Sequence, residues 1–522
     1  MNDKPSVLIV GAGPTGLVAA HELARNGIKC RLISKDAHRA MQSRAIAIHP
    51  RTVESFELMG LADDFLAAGQ RITGVNINGD SGRIAHVGFA SLDTRYPFVL
   101  GVPQDETERI LEEHVGKLGL PVERDTELVG LAPNGSGVTA RLQKDGHIEE
   151  VEADWALGCD GAHSAVREKL GISFDGGTYP ELFLLADIRV EGDLDHKEAA
   201  VWLPADGATA FFPLPEERWR LIVANSPADW KGEPSLAQCQ ALIEQRGLGH
   251  LRLADPRWTA VFRIHRREAE HFRQGRAFLL GDAAHIHSPV GGQGMNMGMQ
   301  DAFNLAWKLG LVIAQGGNPT LLDSYEPERR PIDDAVLRQT DRATRLVSLH
   351  GTVTRFVRDH LMSLATRLPI VVEKLGEAIS GISIDYRDSP IVEDHATGMP
   401  GPHAGDRAPD AVVEDRRIGG GSTRLYELFA QHRHVLLLVG ESAGPTPDLP
   451  ELARRGIAVR HVTGAGGSGG DLIDAKGEVA TRYGSAGAAY LIRPDGYVGF
   501  RCTSSDMPRY LPGHLAKLFA GG

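Results

Sequence analysis

Ser6-Val7-Leu8-Ile9-Val10-Gly11-Ala12-Gly13-Pro14-Thr15-Gly16-Leu17-Val18-Ala19-Ala20-His21-Glu22-Leu23 is the stretch that decides the fold. Residues 6–10 are β-formers that run into a glycine. From Pro14 the pattern is helical, with Leu17, Ala20, Leu23 and Ala24 on one stripe, and Gly27 closes it. Residues 29–34 then read as a second strand. A β-α-β unit this short opens a doubly wound sheet. Gly11, Gly13 and Gly16, with Pro14 and Thr15 between them, occupy the turn. Glycine allows the tight bend and lets a pyrophosphate approach a helix N-terminus, whose free N–H groups and dipole favour anions. The context predicts a dinucleotide on these five residues, against the bland reading of a plain βα turn. At the end of the second strand, where a carboxylate is expected for the ribose, stands Ser34, followed by Lys35 and Asp36. A serine hydroxyl bonds a ribose less strongly than a carboxylate does.

Outward from this unit the texture changes. Residues 174–276 are strand-rich, with pieces at 183–190, 200–203, 208–214, 219–225 and 259–265 and a helix-like stretch at 236–245. This reads as a sheet-rich insertion, joined by parts of 72–103. Residues 277–281 are again a buried strand and 298–315 a strong helix, so the first domain resumes there. The expected first domain is therefore discontinuous, 1–173 and 277–397, with a helical extension over 331–397. The Gly/Pro-rich segment 398–405 reads as a linker. Residues 405–522 carry an independent α/β pattern that includes a hairpin signal at Pro494-Asp495-Gly496.

Composition narrows the class. The chain has 522 residues and a formal charge of −12, so a basic nucleic-acid face is not expected. Glycine supplies 61 residues, well above the usual ~7 %. The four cysteines, Cys30, Cys159, Cys239 and Cys502, form no CxxC pair, which speaks against zinc ribbons and dithiol redox centres and for a reducing, cytoplasmic setting. The apolar run 7–20 is too short to span a bilayer, so no membrane partner is expected.

Two further motifs carry chemistry. Gly158-Cys159-Asp160-Gly161-Ala162-His163-Ser164 is a strand-to-helix turn with Ser164 as a cap. Leu279-Leu280-Gly281-Asp282 delivers a carboxylate at a strand end. A loop with Ser288, Pro289, Gly291, Gly292 and Gly294 then feeds a helix near Met295 and Asn296. That pairs an acceptor for sugar hydroxyls with backbone donors for an anion.

In this order and spacing the three motifs, with Tyr325-Glu326-Pro327-Glu328-Arg329-Arg330-Pro331, resemble those of FAD-dependent aromatic hydroxylases, over about residues 5–345. The resemblance implies an α/β fold: a Rossmann-like FAD-binding domain, an inserted sheet-rich substrate domain and a C-terminal thioredoxin-like domain. It implies FAD held by the Gly11–Gly16 turn, Ser34, Lys35, Arg44, Gln104, Asp160 and Asp282. The loop Pro289, Gly292, Gly294, Met295 and Asn296 would lie along the isoalloxazine. Ser34 departs from the family's acidic residue. The C-terminal part resembles the thioredoxin-like domain of the larger members, through Gly405-Asp406-Arg407-Ala408-Pro409-Asp410 and Arg493-Pro494-Asp495-Gly496. It lacks the redox cysteines.

The resemblance implies NAD(P)H- and O2-dependent hydroxylation of a phenolic or polycyclic ring through a flavin C4a-hydroperoxide. A single GxGxxG leaves NAD(P)H to bind transiently at a cleft. Alternatives on the same scaffold are Baeyer–Villiger oxidation, epoxidation or peroxide production; a non-catalytic protein that keeps the nucleotide fold is the alternative from another class. A homodimer is among the expected assemblies. Candidate reaction residues are Arg263 and Pro289, with Phe212 at the substrate. On a strand, Phe262 and Arg263 face opposite ways, so Arg263 either reaches the pocket or sits on a solvated or bridging face. Phe212 is core or pocket wall. The His285-Ile286-His287 spacing could suit a metal on a strand, but no third ligand is near in sequence, and none is expected.

Overall fold

The computed structural model describes residues 4–39, 43, 45–79, 82–204, 207–227, 230, 232–286, 291–347, 369–431, 433–440, 449–467, 469–485 and 487–520. Strand Val7–Val10 is buried at every position. It pairs in parallel with Cys30–Ile33 on one side and Trp155–Gly158 on the other. Ala277–Leu279 adds in parallel beyond Trp155–Gly158 and Val122–Glu123 beyond Cys30–Ile33. Helix Pro14–Arg25 starts on a proline, which needs no N–H at that position, and buries Leu17, Ala20 and Leu23. Helix Gln293–Ala314 packs along it. A three-stranded antiparallel sheet, Glu127–Pro133, Val138–Lys144 and His147–Ala153, forms the connection from Val122–Glu123 to Trp155–Gly158.

A second sheet has eight strands. Its centre is two 18-residue strands, Phe174–Glu191 and Arg252–Ala269, joined antiparallel. Arg218–Ser226, Thr209–Leu214, Glu198–Trp202, Gly74–Gly79 and Gly82–Gly88 extend it on one side and His285–Ile286 on the other. The long strands begin seven to nine residues before the pieces legible in sequence, and the second also runs four residues past its piece. The extra lengths carry Gly176, Gly177, Arg266 and Arg267, which give no apolar alternation. Helix Leu236–Gln245, opened by a Ser235–Gln238 capping box, covers the face built on Leu184, Leu221, Val223 and Phe211.

The C-terminal region forms another eight-stranded sheet. Its middle runs Ile457–Gly464, His434–Val439, Ala488–Ile492, Val498–Thr503; the first two are parallel, the rest antiparallel. This order is consistent with a thioredoxin-like domain. Cys502 is fully buried in its core, and burial pushes the thiol up to about 12. Among the described residues no helix is long and apolar enough to cross a membrane.

Three buried histidines set the acid side of the stability profile. Burial pushes His434 down to about 3, and His49 and His514 to about 4. His434 lies against the Trp307 and Phe519 rings and near Arg493, His514 against Phe500 and near Glu393. Folded, they stay neutral; unfolded, they take up protons near pH 6.5. Stability therefore falls as pH drops below about 6.5. Asp333, pushed up to about 7 by burial, works the other way and offsets one of the three. The unfolding free energy from urea titration is expected to fall between pH 6.5 and 5, by at most about 3 kcal/mol per pH unit, with a shallower slope in His434→Phe. A flat profile would contradict this.

Candidate functional site

The glycine turn is built for close approach. Gly11 has φ +104°, and a Cβ there would lie 2.3 Å from the Cys159 carbonyl oxygen; one on Gly16 would lie 1.9 Å from the Gly11 oxygen. Gly13 has open space around its missing Cβ. Helix Pro14–Arg25 has no side-chain cap on its first turn. It abuts a cavity of about 550 Å³ whose lining includes Gly11, Gly13, Ser34, Gln104, Glu108 and Asp160. Ser34 is buried, and its hydroxyl oxygen accepts the Asp36 N–H at 3.3 Å. Lys35 is exposed at the rim. Gln104 opens helix Gln104–Lys117; its N–H donates to Ser43 Oγ at 2.7 Å and its amide to Glu108 at 2.9 Å. Arg44 lies outside the described residues. Asp160 accepts from Ser164 Oγ at 2.5 Å and the Val166 N–H at 3.2 Å, capping helix Ala165–Leu170; burial raises its carboxyl.

The second carboxylate turn stands opposite. Gly281 has φ +58°, and Asp282 is exposed in the short turn Gly281–Ala283. Thr15 Oγ1 sits 2.7 Å and 2.4 Å from where Cβ atoms on Gly281 and Gly298 would be, so three segments meet where only glycine fits. Asp301 Oδ2 accepts the Gly281 N–H at 2.9 Å and the His285 Nε2 contact at 2.7 Å. Arg329 Nε donates to Asp301 Oδ1 at 2.6 Å. Burial alone would lift Asp301, but Arg329 and His285 hold it at about 2; Asp333 and Asp301 hold His285 up at about 9. His285, Asp301 and Asp333 bring ligand atoms within 4.8 Å of one another, yet the Arg329 guanidinium already neutralises the pair, and we read an ion network. His287 lies outside the described residues. Arg167 donates 2.9 Å bonds to the Ala283 and Ala162 carbonyls, tying the Asp282 turn to the Asp160 loop.

The glycine loop ends in two left-handed residues, Gly291 at φ +87° and Gly292 at φ +66°. Gly292 is the cap of helix Gln293–Ala314, with Gly294, Met295 and Asn296 in its first turn. The Asn296 side chain is fully engaged: Nδ2 donates to the Ala47 and Gly292 carbonyls at 2.8 Å, and Oδ1 accepts the His49 N–H at 2.9 Å. Only its backbone remains for a ligand. Pro289 lies outside the described residues. Phe212 is half-buried against the cluster that holds Ile72, Val87 and Phe89, and Ala47, Ile379 and Ile382 pack on the same cluster. Arg263 is exposed. By alternation it shares the face of Val261, which packs toward helix Leu236–Gln245, while Phe262 packs with Phe183 and Ile222 on the other face. The fold thus does not bring Arg263 to Phe212.

Residues 4–340 match the family described as FAD binding domain, and residues 401–521 the one described as aromatic-ring hydroxylase, C-terminal. The chain belongs to the FAD-dependent aromatic-ring hydroxylases. This hydroxylase is 35 % identical to a 6-methylpretetramide 4-monooxygenase of Streptomyces rimosus, covering 95 % of this chain and 90 % of the relative. It is 33 % identical to pentachlorophenol 4-monooxygenase of Sphingobium chlorophenolicum, over 95 % and 93 %. Among solved structures it is similar to anhydrotetracycline hydroxylase from Streptomyces rimosus, with TM-score 0.80, 31 % identity and 99 % of each chain covered. It is also similar to aklavinone-11 hydroxylase in a ternary complex with FAD and aklavinone, with TM-score 0.77, 26 % identity and 99 % of each covered. The hydroxylase is a flavoprotein monooxygenase with FAD as cofactor.

The residues fit that cofactor: a cradle that any Cβ would fill, an uncapped helix N-terminus, and a cavity beside both. What sequence reasoning missed in this hydroxylase is the support. Arg329 falls in a motif noted for resemblance alone, and Asp301 and His49 were not singled out. Charged residues inside an otherwise apolar helix stripe, as at Asp301, are the clue that was available.

Proposed function

We propose that this hydroxylase uses NAD(P)H and O2 to add a hydroxyl group to a phenolic or polycyclic aromatic substrate. The observation that carries the reading is the apolar cluster of Ile72, Val87, Phe89 and Val99 with Phe212, Ile379 and Ile382 half-buried against it, joined to the helix that follows the Gly291–Gly292 turn by the Gln293 amide, which donates to the Ile379 carbonyl at 3.4 Å. Ligand sites favour such junctions. The relatives named for 6-methylpretetramide and pentachlorophenol support the same substrate class.

Gly11, Gly13, Pro14, Thr15 and Gly16 present backbone to the FAD pyrophosphate. Ser34, with Lys35 at the rim, meets the adenosine end; its hydroxyl hydrogen is free to donate to a ribose oxygen while its oxygen accepts from Asp36. Gln104 and Asp160 border the same cavity. Asp282 accepts from the ribityl hydroxyls. The N–H groups of Met295 and Asn296, at the positive end of their helix, would bind the flavin ring and favour negative charge on it. Bound FAD supplies the redox chemistry, carrying two electrons from the nicotinamide and activating O2. Phe212 and its apolar neighbours hold the aromatic ring and exclude water. Oxidation of NADH or NADPH, measured across phenols and polycyclic phenols, is expected to yield a product 16 mass units heavier on a ring; a lactone, or peroxide alone, would overturn the reading.

Asp282→Ala removes a charge-assisted acceptor worth about 1.5–3 kcal/mol, so FAD Kd is expected to rise about 10- to 150-fold. Fluorescence titration of the apoprotein checks it; wild-type affinity would sink the assignment. Arg263→Ala, on the far face, is expected to leave kcat and its pH profile within about twofold, as for ordinary surface changes. A tenfold fall in kcat would return Arg263 to the pocket.

A further inference from the structure

The C-terminal domain reaches the flavin site through an unbroken line of buried contacts. Its hairpin turn carries Arg493, whose side chain is 2 % exposed. That guanidinium grips Glu328 with two bonds, at 2.7 and 2.9 Å, and Asp495 with two more, at 3.0 and 2.6 Å. Glu328 also accepts from Asn304 at 2.6 Å, Lys308 at 2.7 Å and Ser389 at 2.6 Å. The next residue on the same helix, Arg329, turns the other way. It donates to Asp301 at 2.6 Å, to the Tyr386 hydroxyl at 3.1 Å and to the Met297 carbonyl at 3.3 Å. Asp301 in turn holds the Gly281 N–H. Tyr386 is shared: its hydroxyl accepts from Arg329, and the Arg493 guanidinium lies 5.0 Å from its ring centre. Simple adhesion between domains requires the Arg493–Glu328 pair. It does not require a tyrosine common to both arginines, nor an arginine that fixes Met297 and Asp301 together.

We infer that Arg493 is a positioning residue for the flavin site, and that through Glu328, Tyr386, Arg329 and Asp301 the C-terminal domain sets the Gly281-Asp282 turn. This rests on the reading of Asp282 as an FAD ligand. The path consists of direct contacts between side chains with almost no exposed surface, where packing leaves little room for independent adjustment. Displacing Arg493 moves Tyr386 and Glu328, and the helix that bears Arg329 follows.

The test is FAD titration of full-length apoprotein, read by quenching of flavin fluorescence, with the bound-flavin absorption spectrum recorded alongside. Arg493→Lys keeps the charge but cannot hold Glu328 with two bonds. It is expected to raise FAD Kd about 5- to 20-fold, the range of ordinary coupling between sites, and to shift the flavin spectrum. Tyr386→Phe removes one hydroxyl from an unchanged shape and is expected to raise Kd in the same direction; it carries the test if Arg493→Lys does not fold. Arg493→Lys combined with Asp301→Asn is expected to weaken FAD by less than the product of the single effects, because both break one line. Wild-type Kd in folded Arg493→Lys or, failing that variant, in Tyr386→Phe overturns the inference, as does a double variant equal to the product. Asp282→Ala separates the two levels. If it weakens FAD while the positioning variants do not, the inference alone fails. If it binds FAD normally, the reading of the site fails and the inference with it.

Discussion

Gly16→Ala is expected to give a protein that emerges from desalting without flavin. The new Cβ would stand 1.9 Å from the backbone oxygen of Gly11 and 3.2 Å from Cys159 Cβ. Neither neighbour is the end of a flexible side chain, so helix Pro14–Arg25 must lift from strand Val7–Val10 by about an ångström. Overpacking of this kind costs about 1–3 kcal/mol of stability. The effect on FAD is larger, because the first-turn N–H groups lose their aim together. Losing even two charge-assisted bonds, at about 1.5–3 kcal/mol each, weakens FAD by at least about 100-fold. Gly13→Ala is the informative contrast. Gly13 has an ordinary φ of −78° and nothing within 4 Å of its Cβ, so that variant should keep its stability and report only on ligand contact. A wild-type ratio of flavin to protein absorbance in Gly16→Ala would overturn the cradle.

Glu328→Ala should be the most destabilising single change. Glu328 is fully buried and receives donors from Arg493, Lys308, Asn304 and Ser389. Arg493 and Lys308 together hold its carboxyl far below the usual carboxylate range despite burial. Removing it strands the buried Lys308 ammonium and leaves Arg493 with Asp495 alone, and breaking a buried pair from one side costs about 3–5 kcal/mol. Glu328→Gln keeps an acceptor in the same place and should lose clearly less. Urea midpoints at pH 7 check both; equal losses in the two variants would show that the charge is not what matters.

The βαβ opening was legible because a glycine turn and a helical stripe occur side by side, and both are local signals. The C-terminal hairpin was legible for the same reason, through Pro494-Asp495-Gly496. Strand Phe174–Glu191 begins nine residues before the piece read from sequence. Its first half holds Gly176 and Gly177, and paired strands need no apolar alternation where they project into solvent. For Asn296, the position of the backbone in the first helical turn follows from the glycines before it. The use of its side chain depends on residues 47–49 lying alongside, which only the folded chain shows. Asp301 and Arg329 are 28 residues apart and meet across two helices. Arg263 shows the limit most clearly. That Phe262 and Arg263 face opposite ways was readable, but which of the two faces lies toward helix Leu236–Gln245 is set only by the packing of the folded chain.

The order of strands in the first sheet also sets a timetable for biosynthesis. Val7–Val10 lies between Cys30–Ile33 and Trp155–Gly158, but Ala277–Leu279, which carries the Gly281-Asp282 turn, pairs only beyond Trp155–Gly158. At ~5–20 residues per second, the amino-terminal glycine turn leaves the ribosome on the order of ten seconds or more before that strand exists. Through that interval its hydrophobic strands stand without their last neighbour. Arg493 is made later still. A nascent hydroxylase can therefore begin its nucleotide fold early but cannot complete the Gly281-Asp282 turn until strand Ala277–Leu279 has been made, so the glycine turn must wait through that interval for the carboxylate that faces it.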